Sequence, residues 1–544
     1  MVFGFLIAMS VAMALIPPLM RVAPRLRVVD VPDLRRTHAA PVPRVGGIAM
    51  AIGLLLAVAL VSEHTRLLLA CMASVAVLLV FGIWDDRVEL PPGLKLLGQA
   101  VAAMIVMLWG GVGIDSLTLA ERIELPALIA WPLGMVFIVG ATNALNLSDG
   151  LDGLAGGSAL LCLVATALLG ATVGNQQVVG IAIAAAGAVL GFLRYNTHPA
   201  RVFMGDAGSQ VLGFVSAVLA VTLTQDPAVP LSAALPLLLL GMPIIDTAMV
   251  MTGRVLAGHS PFRADRNHLH HRLLRAGLRH RGAVMVIYLL QALLFVAAWF
   301  MRYESDLLIL AFFLAFAGVV IAGVHGLERR GVPAPAASAN AVMPSAAGSR
   351  TLTGPRWITT LSRLLVVAGV AGLAVCTLLL PQRYLGDIAL LAIALAAILV
   401  AAAWHGWARG DLGWIDRAGL YVSAALLIHH LHAQLAGPGG AWQPWPPWPL
   451  FVPMAAGIAL RFWGDRDRRF RVTPLDLLVV FAAVVVPNLP GSFLGVRISA
   501  AALVQLVALF YAIECLGTAG RAGRRGLLIA GAVLNAALAW LPAF

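Results

Sequence analysis

Five short polar stretches interrupt a chain that is otherwise mostly apolar. The richest runs from Asn143 to Gly157, NALNLSDGLDGLAGG in one-letter code. Asn146, Asp149 and Asp152 are spaced by three, so on a helix they would share one face. Amide and carboxylate oxygens on one face suit a hard cation such as Mg2+, which takes oxygen ligands and shares them with substrate phosphates. The glycines allow turns and close backbone approach to a ligand. A polar helix terminus with Asp near its N-cap is the plainer reading of the same residues.

The other four stretches supply complementary groups. Adjacent carboxylates in GIWDDR, Asp85 and Asp86, repel one another unless a cation or proton sits between them; a metal or a general-base role resolves that, as does simple solvation. Lys95 and Gln99 follow closely. In NTHPARVFMGDAGS, Asp206 stands among small residues just before a new apolar run, placed either to bind a metal or to cap a helix. Between Asp30 and Gly47 lie Arg35, Arg36, His38 and Arg44, which either bind phosphate or set topology. The stretch SPFRADRNHLHHR carries Arg266, His268, His270 and His271. Its lack of Cys favours anion binding over zinc, since Arg matches phosphate geometry and His donates hydrogen bonds. Asp246, an acid inside an apolar run, either supports the site or pairs structurally. Together these are the parts of phosphoryl-type transfer, in which catalysis is mostly positioning and charge neutralisation. The substrates would be a soluble diphosphate and a lipid phosphate. There is no Gly-x-x-x-x-Gly-Lys loop of a nucleotide-driven pump.

The elements that must position these residues are membrane helices. The chain is 61% hydrophobic and 11% charged over 544 residues, well above the roughly 45–50% apolar share of soluble domains. The apolar runs are helix-length, about 20 residues each, so a β-barrel is not expected. We expect an all-α polytopic bundle, with about 11 spans in residues 1–325 and about seven more in 358–544. One core span is expected at 231–251. A Pro/Ala/Ser/Gly-rich linker lies between, within 326–357. The run starting at Val2 lacks a basic n-region and reads as a first span, not a cleaved signal peptide. Cys71, Cys162, Cys376 and Cys515 all lie in apolar runs and read as small buried hydrophobes. With the N-terminus outside, all 37 Lys and Arg but Arg66, Arg122, Arg302, Arg383 and Arg497 fall on the inner side. That asymmetry follows the positive-inside rule and accounts for the net charge of +12 without a nucleic-acid partner. All five polar stretches fall on the inner side.

GIWDDR with Lys95, NALNLSDGLDGLAGG, NTHPARVFMGDAGS and SPFRADRNHLHHRL, in that order, resemble the polyprenyl-phosphate N-acetylhexosamine-1-phosphate transferase family over residues 1–325. The resemblance implies transfer of a sugar 1-phosphate from a UDP-sugar to undecaprenyl or a related polyprenyl phosphate, releasing UMP, with Mg2+ (or Mn2+). It implies Asp206 as principal metal ligand with Asn146 beside it, and Asp85 as the acid that deprotonates the lipid phosphate or acts as nucleophile. Asp86 supports Asp85, and Asp149 belongs to the same catalytic group. Lys95, Asn143 and Arg44 would serve the substrates, Asp152 would lie near the uracil, and Arg266, His268, His270 and His271 would meet the sugar-diphosphate. The DRNHLHH loop resembles the N-acetylglucosamine enzymes of cell-envelope polysaccharide synthesis more than the muramyl-pentapeptide enzymes, whose loop is of a His-His-His type. The expected place is the inner membrane, in contact with lipid, with the site on the cytoplasmic face and a homodimer allowed. A lipid-linked sugar transporter is the rival class, but transporters gather binding groups near the midplane. The region 358–544 holds no catalytic cluster.

Overall fold

The computed structural model describes residues 2–30, 41–119, 121–260, 267–329 and 356–379, with shorter helical pieces within 396–400, 420–427, 451–458, 509–516 and 528–536. The chain forms two compact units, Met1–Asn340 with Thr473–Leu478, and Ala341–Val472 with Val479–Phe544.

In the first unit the helices are α1 (Val2–Leu26), α2 (Gly46–Val61), α3 (Arg66–Val88), α4 (Pro92–Leu108), α5 (Ala127–Leu147), α6 (Leu154–Thr172), α7 (Gln176–Asn196) and α8 (Gly205–Gln225). They continue with α9 (Leu235–Leu239), α10 (Gly241–Leu256), α11 (Leu269–Arg275), α12 (His280–Phe300) and α13 (Asp306–Arg329). Among the described residues eight helices are long and apolar enough to cross a membrane, in α1, α3, α5, α6, α7, α8, α12 and α13; α2 and α4 are shorter apolar helices. The protein is thus a multi-pass helical membrane protein. Two small antiparallel hairpins supplement the helices: β1 (Val29–Asp30) with β2 (Val42–Pro43), and β3 (Ser116–Thr118) with β4 (Arg122–Glu124).

The single span expected at 231–251 is broken between α9 and α10. Pro243 has no N–H to offer the carbonyl of Leu239, and a break there leaves polar backbone in an apolar layer. Gln291 of α12 repairs it. Its Nε2 donates to Leu239 O at 3.0 Å and Leu238 O at 3.3 Å, while its Oε1 accepts from Met242 N at 3.1 Å.

α8 is the central helix. Its most apolar window is 94% buried, against 22% for α13 at the edge. α2, α3 and α5 all pack on α8, each through small residues: Gly47 meets Gly208, Gly82 meets Ala207, and Thr142 meets Gly213 so closely that a Cβ on any of these glycines would collide with backbone. Without a hydrophobic force between helices in lipid, such close backbone contact is what holds them. The consequence is positional: the first turn of α8, which carries Asp206, is fixed against α2 and α3. At the opposite end of the bundle, Gln225 of α8 and Asp306 of α13 hold the β3–β4 hairpin through Ser116 N (2.9 Å) and Thr118 N (2.5 Å).

Cys71 and Cys162 are buried free thiols, as their apolar setting suggests. In the second unit the described helix is α14 (Arg356–Leu379). There the buried Asn535 amide donates to Ser423 Oγ at 2.7 Å and to Gly531 O at 2.8 Å, a polar link between apolar segments.

Candidate active site

The polar loops of the first unit meet at one end of the bundle. Phe203 N donates to Pro43 O at 2.8 Å, and Gly46 N and Gly47 N donate to Phe203 O and Met204 O, both at 2.9 Å. The loop before α8 is therefore strapped to the start of α2. Gly153 N donates to Asn196 Oδ1 at 2.8 Å, which ties the α5–α6 turn to the end of α7.

Four groups from four helices form the centre. Lys95 Nζ, on the first turns of α4, lies 2.7 Å from Asp85 Oδ2 and 3.1 Å from Asp206 Oδ2. Asn146 Nδ2, at the end of α5, donates to Asp206 Oδ1 at 2.7 Å and to Ser209 Oγ at 2.8 Å. Asp85 Oδ1 accepts from Leu90 N at 2.8 Å, so both its oxygens are engaged, and its side chain is 1% exposed. The Asp206 side chain is 29% exposed and opens the cluster to solvent. Asn143 lies almost one turn before Asn146 on α5, half-buried. Two carboxylates this close need a cation between them. The ammonium of Lys95 supplies one, and the hard oxygens of Asp206, Asp85 and the Asn146 amide are the donor types a divalent Mg2+ or Mn2+ takes.

Several of the expected site residues also make structural contacts. Asp86 lies beside the cluster and is bonded to the start of α8. Its Oδ1 accepts from Asp206 N at 2.9 Å and its Oδ2 from Ala207 N at 3.2 Å, so it caps α8 across 120 residues of sequence. Gly205 makes this possible: its φ is +69°, and a Cβ there would overlap the Asp86 carboxyl. Asp86→Ala is expected to act through stability, at about 1–3 kcal/mol, because two buried donors lose their acceptor. A lower melting temperature of the detergent-solubilised protein checks this, and Asp86→Asn, which keeps one acceptor, is expected to recover part of the loss.

Asn146, Asp149 and Asp152 do not share a helix face. α5 ends at Leu147 and α6 starts at Leu154 after a turn in which Gly153 has φ +82°, a conformation that interrupts any continuous helix. Asp152 Oδ2 lies 2.7 Å from His198 Nδ1 and accepts from Ala200 N at 3.1 Å. These contacts hold its carboxyl below the usual range despite burial, and they link the α5–α6 turn to the loop before α8.

Asp149 remains in the turn beside the centre. Burial, then the carboxylates of Asp206 and Asp152, push its carboxyl up to about 7. A raised carboxyl stabilises the fold fully below its unfolded value near 4, and that contribution is lost as pH rises through 7. Between pH 5 and 7.5 the melting temperature of the wild type is therefore expected to fall relative to Asp149→Asn; parallel pH curves for the two proteins would contradict the shift.

Arg44 is occupied as well. Its guanidinium pairs with Asp30 across the β1–β2 hairpin and lies 4.0 Å from Asp86 Oδ1. In this position it braces the cap of α8.

The histidine loop divides. His268 is pinned to α10: its Nδ1 is 3.1 Å from Asp246 Oδ2, and Asp246 Oδ1 accepts from Leu269 N at 2.6 Å. Asp246 is thus a structural partner that starts α11. Arg272 fastens the same helix to Glu328 of α13 through Nε at 3.0 Å and Nη2 at 2.5 Å. His270 is 2% exposed and packs against Gly150 so tightly that a Cβ there would strike its ring. Burial, then His271, pushes it down to about 3, so it is neutral at physiological pH. His271 is half-buried with its ring 4.2 Å from that of His270. The histidine stretch therefore does reach the Asn143–Gly157 turn, through His270. Arg266 lies outside the described residues.

Sequence reasoning missed Ser209, Asn196, His198, Tyr288 and His280. The first three sit beside or inside the NTHPARVFMGDAGS stretch that pointed to Asp206. Tyr288, whose hydroxyl donates to Gly153 O at 2.5 Å, and His280 lie in α12 outside any motif, and no local signal marks them.

An acid–lysine–acid–amide cluster at one end of a helical membrane bundle is suited to handling phosphates. Residues 67–224 match the family model described as glycosyl transferase family 4, and the chain belongs to this family. It is 35% identical over 335 residues, 60% of this chain and 92% of the relative, to the probable undecaprenyl-phosphate N-acetylglucosaminyl 1-phosphate transferase of Bacillus subtilis (strain 168). It is 34% identical over 311 residues to the decaprenyl-phosphate N-acetylglucosaminephosphotransferase of Mycobacterium tuberculosis (strain ATCC 25618 / H37Rv), covering 50% of this chain and 75% of that one. Over 316 residues it is 31% identical to the undecaprenyl-phosphate alpha-N-acetylglucosaminyl 1-phosphate transferase of Escherichia coli (strain K12), covering 54% and 84%.

Proposed function

We propose that this protein transfers N-acetylglucosamine 1-phosphate from its UDP-sugar to a polyprenyl phosphate and releases UMP. The observation that carries the reading is the contact of Lys95 with both Asp85 and Asp206, with Asn146 on the far oxygen of Asp206. The names of the relatives support the sugar and the acceptor. The Lys/Arg asymmetry supports a site on the cytoplasmic side of the inner membrane, where a soluble nucleotide sugar and a lipid phosphate meet.

In the reaction an oxygen of the lipid phosphate attacks the sugar-bearing phosphorus of the UDP-sugar. The bond to the bridging oxygen breaks, and UMP leaves with that oxygen. Lys95 positions and neutralises the phosphates, in keeping with chemistry that depends on placement more than on bond-making by the protein. Asp85 holds Lys95 in place. With Leu90 N on one oxygen and Lys95 on the other, Asp85 is a poor nucleophile, which favours direct attack by the lipid phosphate. That phosphate is already largely ionised at neutral pH, so Asp85 has at most a residual proton to take. Mg2+ (or Mn2+), held by Asp206 with the Asn146 amide oxygen and Asp85 nearby, would neutralise the diphosphate charge. Asp86, Arg44 and Gly205 fix where Asp206 stands.

The test is a donor panel. Purified protein with polyprenyl phosphate and Mg2+ is expected to release UMP fastest with UDP-N-acetylglucosamine. Faster turnover of UDP-N-acetylmuramyl-pentapeptide would move the protein to the peptidoglycan branch, and no UMP from any UDP-sugar would overturn the reading. The Bacillus relative is matched over 92% of its length by 60% of this chain, which supports a self-sufficient core. A chain ended at residue 330 is therefore expected to keep at least about a tenth of the full-length kcat, a loss under about 1.4 kcal/mol. Membrane-inserted but inactive truncated protein would assign residues 331–544 a part in catalysis.

A further inference from the structure

The turn between α5 and α6 is held from two sides at one residue. Gly153 has φ +82°, a conformation that glycine adopts without steric cost. Its N–H donates to Asn196 Oδ1 at 2.8 Å, from the end of α7. Its carbonyl oxygen accepts from the Tyr288 hydroxyl at 2.5 Å, from α12. Tyr288 is 2% exposed, and this bond crosses 135 residues of sequence. Gly157, in the first turn of α6, makes room for it: a Cβ there would lie 1.8 Å from the Tyr288 hydroxyl oxygen. Two glycines of NALNLSDGLDGLAGG thus have separate uses, one to turn the chain and one to admit a phenol. The Gly153 carbonyl also accepts from Gly157 N at 2.9 Å. Loss of the tyrosine hydroxyl therefore leaves no buried acceptor orphaned, and its cost to the fold is small. What is lost is the second constraint on the direction of the Gly153 peptide.

We propose that Tyr288 is a positioning residue whose hydroxyl fixes the α5–α6 turn in the shape that receives the soluble UDP-sugar donor. This rests on the function proposed above. The turn runs from Ser148 to Gly153, directly after the helix that carries Asn146 into the central cluster, and it bears Asp149 and Asp152. Its polar groups stand in a loop, without a helical ladder to fix them. A loop that becomes ordered only on binding weakens affinity by the entropy it loses. Asn196 and Tyr288 engage both backbone groups of Gly153, so the ordering is already done in the fold. The donor is polar throughout and meets the protein at such loops. The acceptor is held in the bilayer by its apolar tail, and depends on the turn less. Tyr288 itself is buried behind the turn and acts through Gly153.

Tyr288→Phe keeps the ring and removes the bond. In the full-length protein its KM for UDP-N-acetylglucosamine is expected to rise about 10-fold, the scale of one hydrogen bond, and its Kd for that donor without acceptor to rise equally. Both kcat and the KM for polyprenyl phosphate are expected to stay within about twofold of wild type. Thr166→Val, which removes a hydroxyl bonded to Cys162 O within α6, is expected to change none of these. Hydrogen exchange reads the clamp without turnover: the Gly153 and Leu154 amides are expected to exchange at least about 10-fold faster in Tyr288→Phe, with the rest of α6 at the wild-type rate. Should the variant fail to fold, the wild type decides, since those two amides are expected to be protected already in the free protein. An unmoved donor KM and Kd, an equal rise in the acceptor KM, a fall in kcat and melting temperature at constant donor KM, or rapid exchange of those amides in the free wild type would each overturn the proposal. No UMP from the wild type with any UDP-sugar would instead overturn the function it rests on, while exchange would still report the clamp.

Discussion

Asp206→Asn is expected to lower UMP release by about 10³-fold or more, equivalent to about 4 kcal/mol of transition-state stabilisation. The substitution keeps the shape of the side chain but removes the charge around which the cluster is arranged. Asp206 is the one carboxylate that touches Lys95, Asn146 and, through its own N–H, Asp86. It is also the most solvent-open member of the acid pair, so it is where a divalent ion and a diphosphate would meet the protein. Because α8 is fixed by glycine contacts with α2 and α3 and by the Asp86 cap, the Asn variant is expected to fold and melt near the wild-type temperature. Activity lost together with the fold would point to a structural role for Asp206; activity kept would remove it from the centre.

Lys95→Met is expected to cost about 10²–10³-fold in kcat/KM, the range seen when one preorganised stabilising group is lost from a charge-handling site. A second readout separates electrostatics from packing. Lys95 now occupies the space between Asp85 and Asp206, where it opposes the approach of another cation. Without it the two carboxylates face each other uncompensated, and the Mg2+ concentration for half-maximal activity is expected to fall even as turnover drops. A rise in that concentration would place Lys95 among the groups that recruit the metal. Arg66→Ala, an exposed cation at the start of α3 on the far side of the bundle, is expected to change neither quantity.

The architecture was legible because apolar run length is a strong signal: the helical bundle and the polar stretches that interrupt it can be read directly from the chain. The site's membership was also legible, since Asp85, Lys95, Asn146 and Asp206 announce themselves as hard or charged groups among apolar neighbours. What was not legible depended on partners far away in sequence. Nothing near Asp86 says that its acceptors will be used by Asp206 N and Ala207 N. Nothing near His268 says that Asp246 will claim it. The shared face assigned to Asn146, Asp149 and Asp152 assumed a continuous helix, although Gly150 and Gly153 within that stretch were local warnings of a turn. The break between α9 and α10 had a similar clue in Pro243, but its repair by Gln291 of α12 could only come from the fold.

The central claim is phosphoryl transfer at the Asp85–Lys95–Asp206 cluster, and the fate of the β-phosphate of the donor tests it most directly. Purified protein is given UDP-N-acetylglucosamine labelled with 32P at the β-phosphate, polyprenyl phosphate and Mg2+. The label is expected to move into the lipid phase in equal amount to the UMP released, in wild type and not in Asp206→Asn. Release of UDP with the label left in water would mean that the sugar–oxygen bond breaks instead, and would contradict the account.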